Sequence, residues 1–261
     1  MKKLFAAALA AILSMSAGAG VALADSHEGA EKGPRFVPVE TWACNYRDGK
    51  SLSDLMAFTE KFNAWLDEEE YTDYFAAVVT PSYFGEKKMD VGWLGVWSDG
   101  NAMGSGTDMW LAYEGDLAAE FVGIVDCGAH TQFASMMIKA PPDDDSDDKN
   151  FVLDFTNCSV KDGAEFDSVL SAMDTWAKYQ DEHGLENGTW IMFPIYGESD
   201  TDYGFKVVNS HDSHTAFGAQ FEWMGNGGHW RKSSEIFDSL LDCDIARVYD
   251  ATAIREMTGG D

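Results

Sequence analysis

The chain has 261 residues, 18 of them basic and 45 acidic, for a formal net charge of −27. A field of that sign repels nucleic-acid backbones and anionic lipid surfaces, so nucleic acid is excluded as an expected partner. Nine Trp and sixteen Phe supply enough apolar surface for sizeable cores, which sets aside global disorder.

At the N-terminus Lys2 and Lys3 precede the apolar run Leu4 to Leu13, and Ala22-Leu23-Ala24 ends the segment in small residues. That pattern predicts a signal peptide over 1–24, and hence an exported protein, periplasmic or secreted. No later stretch is long and apolar enough to predict a membrane span in the mature chain. Residues 25–36 mix charge, Gly and Pro and read as a flexible leader.

Beyond the leader the chain repeats itself. Asp90-Val91-Gly92-Trp93-Leu94-Gly95-Val96-Trp97-Ser98 returns, altered, as Asp202-Tyr203-Gly204-Phe205-Lys206-Val207-Val208-Asn209-Ser210. The first repeat is read over 37–139 and the second over 151–256, with a tail at 257–261. Between them, 140–150 holds Pro141-Pro142 and an aspartate run from Asp143 to Asp148, a linker by composition. Its alternating aspartates are similar to a calcium loop, but the glycine and distant glutamate of an EF-hand are absent.

The chain contains four cysteines, and in an exported chain they predict two disulfides. Cys44 and Cys158 occupy matching places in the two repeats, as do Cys127 and Cys243, each of the last two following an aspartate. A duplicated unit most simply carries its own bridge in each copy. The expected pairs are therefore Cys44–Cys127 and Cys158–Cys243; a zinc site, the alternative, lacks C-x₂-C spacing.

Taken in order, Val37 to Tyr46 is strand-like, with Pro38 predicting an irregular start or a sheet edge. Asp48-Gly49 turns the chain, and Ser51 with Asp54 forms a capping box ahead of Leu52, Leu55, Met56, Thr59, Phe62 and Leu66 at helical spacing. The second repeat shows the same design from Phe166 through Trp176. Trp65 and Trp176 lie on these helices and read as core. Tyr74 to Pro81 and Gly188 to Pro194 predict strands ended by proline, followed by the Trp-rich strand and its counterpart. Two short helical pieces then precede Asp126-Cys127 and Asp242-Cys243, and final strands are expected over Thr131–Lys139 and Ile245–Arg255.

Each repeat thus reads β-α-β-β-α-β, the α+β arrangement of ferredoxin-like domains. Two such units in one chain resemble the dimeric α/β-barrel superfamily, over about 37–139 and 151–256. The resemblance implies two antiparallel four-stranded sheets packed face to face within one polypeptide. It also implies a choice of activities, since the superfamily includes cofactor-independent and haem-dependent oxygenases, a haem enzyme that splits chlorite, and simple small-molecule binders. Fold does not choose among these, and no cofactor is specified.

The expected site is an aromatic cleft between or beside the sheets that takes a small apolar or aromatic ligand, lined by Tyr83, Trp93, Trp97, Trp190, Tyr196 and Phe205. Histidines gather in the second repeat: His211 and His214 flank Asp212 and Ser213, and His229 follows a glycine-rich break. These three could hold a metal or supply a base titrating near neutrality. The readings are accordingly a ligand-binding protein, an oxygenase-like or metal-assisted enzyme centred on the second repeat, or an envelope interaction module without a small ligand.

Overall fold

The computed structural model describes residues 35–113, 115–142, 148–197 and 202–258. The predicted signal peptide, most of the expected leader and the aspartate run at 143–147 lie outside the described residues.

In the first repeat the elements are β1 (Val37–Tyr46), α1 (Leu52–Glu68), β2 (Tyr74–Tyr83), β3 (Val91–Trp97), α2 (Gly100–Ala112), α3 (Leu117–Ile124) and β4 (Val125–Lys139). The second carries β5 (Asn150–Val160), α4 (Phe166–Glu182), β6 (Gly188–Tyr196), β7 (Phe205–His211) and α5 (His214–Phe221), a π-helical turn at Glu222–Asn226, then α6 (Trp230–Phe237), β8 (Leu241–Cys243) and β9 (Arg247–Arg255). The start of α1 is the expected capping box: the Asp54 carboxylate accepts from the Ser51 backbone N–H at 2.9 Å and from its hydroxyl at 2.8 Å. Leu55, Phe58, Phe62, Trp65 and Leu66 then fall on one buried face, as helical spacing requires.

Strand order corrects the picture of two sheets packed face to face. The sheet runs β7-β6-β4-β1-β3-β2-β9-β5-β8, and β5 also pairs with β7, so eight strands close on themselves into one barrel. Within each repeat the first strand lies between the last and the third, as in a ferredoxin-like unit. The free edges of the two units are then joined antiparallel, β4 to β6 and β2 to β9. An open edge exposes a row of unpaired N–H and C=O groups, and closure removes it. Pro38 is not at a sheet edge: β1 is central, and Pro38 pairs only with Ala134 of β4, because the pairing with β3 begins at Val39.

The final strands also differ from expectation. β4 begins at Val125 and therefore contains Cys127, with a bulge at Gly128 where the register shifts between Ala43 and Cys44. In the second repeat the equivalent stretch is broken into β8 and β9 around Asp244–Ala246. Both predicted disulfides are formed, Cys44–Cys127 and Cys158–Cys243, each joining residues directly opposite on paired strands.

Three cores result. One fills the barrel, with Val39, Val79, Phe133, Leu153, Met192, Val208 and Ala251 buried together. The other two lie on the outer faces, under the helices of each repeat. No helix among the described residues is long and apolar enough to cross a membrane.

Candidate functional site

Strand pleating sends Glu40, Trp42 and Cys44 of β1 to the outer, helix-covered face, while Val37 and Val39 point into the barrel. Register then sets three rows across the first repeat. Trp97 lies opposite Tyr74; Gly95 lies between Ala76 and Glu40; and Trp93, Trp42 and His130 stand in line across β3, β1 and β4. The helices α1, α2 and α3 roof these rows.

Between roof and sheet lies a cavity of about 410 Å³. Its walls are rich in aromatic side chains: Phe58, Phe62 and Trp65 from α1, Trp110 from α2, Phe121 from α3, and Trp42, Tyr74, Trp93 and Trp97 from the sheet. Glu40 is the carboxylate set into this wall, its side chain only 13% exposed. It is fully engaged. Tyr74 donates its hydroxyl to Oε1 at 2.7 Å, the Trp42 indole N–H donates to Oε2 at 3.0 Å, and His130 Nε2 lies 2.7 Å from the same Oε2. Trp93 in turn donates to the Tyr74 hydroxyl at 2.8 Å, and the His130 ring stacks on Trp42 with centroids 3.5 Å apart. The chain Trp93–Tyr74–Glu40–His130 therefore runs from the buried wall to an imidazole that is 46% exposed at the rim.

Gly95 makes this chain possible. A Cβ there would stand 2.2 Å from the Tyr74 hydroxyl and 2.8 Å from Glu40 Oε1, where the bond between them lies. The other lining charges, Arg47 and Asp126, pair with each other at 3.4 Å.

Burial, and secondarily the charge of Glu40, holds the Tyr74 phenol well above its usual value of about 10. Burial also raises Tyr46, Tyr71 and Tyr249. Folded pKa values above the unfolded one give stability that is complete below about pH 10 and is lost as pH rises through the raised values. Ultraviolet titration should therefore show Tyr74 ionising above the usual phenol value, in one step with alkaline unfolding. Ionisation of Tyr74 at the usual value in a folded chain would contradict this burial.

The second repeat lacks the same pocket chemistry. Aligned on the disulfides, the repeated glycine and the repeated proline, Glu40 corresponds to Asp154, Trp42 to Thr156, Tyr74 to Asn187, Trp93 to Phe205, Gly95 to Val207 and Trp97 to Asn209. Of these, Asp154, Asn187 and Asn209 join a buried to part-buried polar network. Asn209 donates to Asp154 at 3.0 Å, Thr189 donates to Asn209 at 2.9 Å, and Lys139 donates to Asn187 at 3.1 Å. His211 Nε2 lies 3.1 Å from Asp154.

Of the aromatic residues expected to line a cleft, Trp93 and Trp97 do line the cavity. Tyr83 and Tyr196 are 62% and 68% exposed, Trp190 packs against the barrel core, and Phe205 is buried beneath the second repeat's helices. Trp65, read as core, is both core and cavity wall. The three histidines are not brought together. His211 meets Asp154, His214 meets Asp250 at 2.6 Å, and His229 stacks on Trp223 with Nδ1 2.8 Å from the Tyr179 hydroxyl. Among the described residues no group of three or more His, Cys, Asp or Glu could hold a metal ion.

Comparison with known proteins places the architecture. No family model and no curated protein sequence matches the chain. Solved structures do. A provisionally assigned monooxygenase from Lactobacillus acidophilus superposes with a TM-score of 0.51 at 14% identity, covering 88% of this chain and 99% of that one. A second, from Fusobacterium nucleatum, gives 0.52 at 10% identity over 86% and 96%. A dye-decolorizing peroxidase from Bacteroides thetaiotaomicron gives 0.50 at 9% identity over 85% and 94%. The chain shares the barrel fold of these structures. At these identities the likeness establishes architecture alone.

Of the lining groups that could ligate a haem iron, Cys127 is tied in a disulfide, and His130 lies on Trp42 with Nε2 2.7 Å from Glu40 Oε2.

Proposed function

We propose that this is an exported small-molecule-binding protein whose ligand site is the aromatic cavity of the first repeat. The observation that carries the reading is a cavity of about 410 Å³, rich in aromatic side chains, around the part-buried and hydrogen-bonded carboxylate of Glu40. Concave, mostly apolar sites with a few convergent polar groups are the usual form of small-ligand pockets. The predicted signal peptide and the two disulfides support export.

A panel of small aromatic probes, indole and naphthalene among them, tests this by thermal shift, because a ligand of the folded state must raise the melting temperature. We expect stabilisation, and a roughly tenfold loss of affinity when Ala118, on the cavity wall at α3, becomes Trp and closes the mouth. Probes that never stabilise the chain would overturn the reading in favour of an interaction module without a small ligand.

A second reading is favoured by His130. An exposed imidazole bound to a buried carboxylate is the arrangement of a general base. With dioxygen as co-substrate, such a base would serve an oxygenase that converts a phenol to a quinone and water, one oxygen atom going to each. Two of the similar structures carry monooxygenase assignments. Oxygen uptake with a pocket-binding phenol, abolished by His130→Ala, supports this reading; tight binding of such phenols without uptake rejects it.

A further inference from the structure

We infer that the first-repeat cavity selects organic cations: a compact quaternary or protonated amine, with or without an aromatic ring. The inference rests on the reading that this cavity is a ligand site, and it names the charge of the ligand. Glu40 carries a formal negative charge into a wall of ring faces, and its donors Tyr74 and Trp42 are neutral groups. The one permanent cation on the lining, Arg47, is spent on Asp126 and on the Val122 carbonyl. His130, the third partner of Glu40, stands half exposed at the rim, where an entering cation can displace it.

Ring faces present the negative part of their quadrupole, so a cation is attracted by each indole or phenyl ring that turns a face to it. A nearby carboxylate in a low-dielectric pocket strengthens that attraction. The chain as a whole adds steering, since a net charge of −27 concentrates cations at its surface and repels anions. A neutral aromatic would use only the apolar walls and leave Glu40 with the partners it already has. An anion would face Glu40 directly.

Tryptophan fluorescence titrations of the full exported chain test this with three probes of similar shape: benzyltrimethylammonium, its uncharged isostere neopentylbenzene, and benzenesulfonate. We expect benzyltrimethylammonium to bind about tenfold more tightly than neopentylbenzene, and benzenesulfonate to bind weakest. Glu40→Gln, which keeps an acceptor for Tyr74, should bring the affinity for benzyltrimethylammonium to about that for neopentylbenzene measured in the same variant. Equal affinity for the cation and its neutral isostere in the wild-type chain would overturn the cation inference and leave the ligand site standing. If none of the three binds, the ligand-site reading falls with it. An unchanged preference in the Glu40→Gln chain would overturn the role of this carboxylate.

Discussion

Replacing Cys44 and Cys127 together by Ser should lower the stability of the folded chain by about 4–5 kcal/mol, as should the matching change at Cys158 and Cys243. The bridges close loops with sequence separations of 83 and 85 residues, long enough that the unfolded chain loses much of its freedom when they are intact. Cys44 and Cys158 are buried where the strands pair, so a serine at either would also leave a hydroxyl in apolar surroundings. The effect should differ between the repeats in one respect. Cys127 is part of the long β4 beside the Gly128 bulge, two strand positions from the row that holds Trp42 and His130. Loss of that bridge should weaken probe binding as well as stability. Loss of Cys158–Cys243, in the repeat without the aromatic cavity, should cost stability and spare binding. Denaturant melts of the two double variants, read together with probe titrations, check both statements. Equal binding losses in the two variants would contradict the assignment of the site to one repeat.

Phe133→Ala should cost about 3–5 kcal/mol, the range for emptying a fully buried aromatic position. Phe133 is 1% exposed and lies in the barrel core on β4, the strand that joins the two repeats. It stands opposite Val39 on one side and Pro194 on the other, so one ring serves both the first repeat's own sheet and the seam to the second. The cavity left behind would sit among Val39, Met192 and Val208, from three different strands, which limits how far the walls can relax inward. A loss of under about 1 kcal/mol in a denaturant melt would mean that the barrel interior is loosely filled and that closure depends on hydrogen bonding alone.

Much of this fold could be read from residues. Duplication was visible in the Trp-rich strand and its counterpart, and it selected the disulfide pairing that spacing alone leaves open. The order of elements followed from local patterns: a capping box before a helical period, and prolines and glycines between apolar runs. Barrel closure was not legible, because it depends on which edges meet. The β4–β6 and β2–β9 pairings join residues from different repeats, and no local pattern states their register.

The site was legible in part. Trp93 and Trp97 were singled out, yet the histidine-rich second repeat drew attention from the first. Glu40, Tyr74 and His130 are far apart in sequence and meet only through strand register. A signal was present all the same. Glu40 alternates with Trp42 and Cys44 on the strand face that the helices must cover, and a carboxylate on a covered face needs donors. Gly95, inside a strand otherwise rich in large residues, marks the close approach that the Tyr74–Glu40 bond requires. In the second repeat both signals change together, to Asp154 and Val207, and the aromatic wall gives way to a polar network.

The central claim is that the aromatic cavity of the first repeat receives the ligand. Photolabelling with a trifluoromethyl phenyldiazirine, followed by peptide mapping, tests it most directly. The label should fall on peptides from α1 and α2, at Phe58 to Leu66 and Gly106 to Trp110, and be competed away by any probe that stabilises the chain. Label concentrated in the second repeat around Trp176, Trp223 and His229, or spread over the surface without competition, would contradict the account.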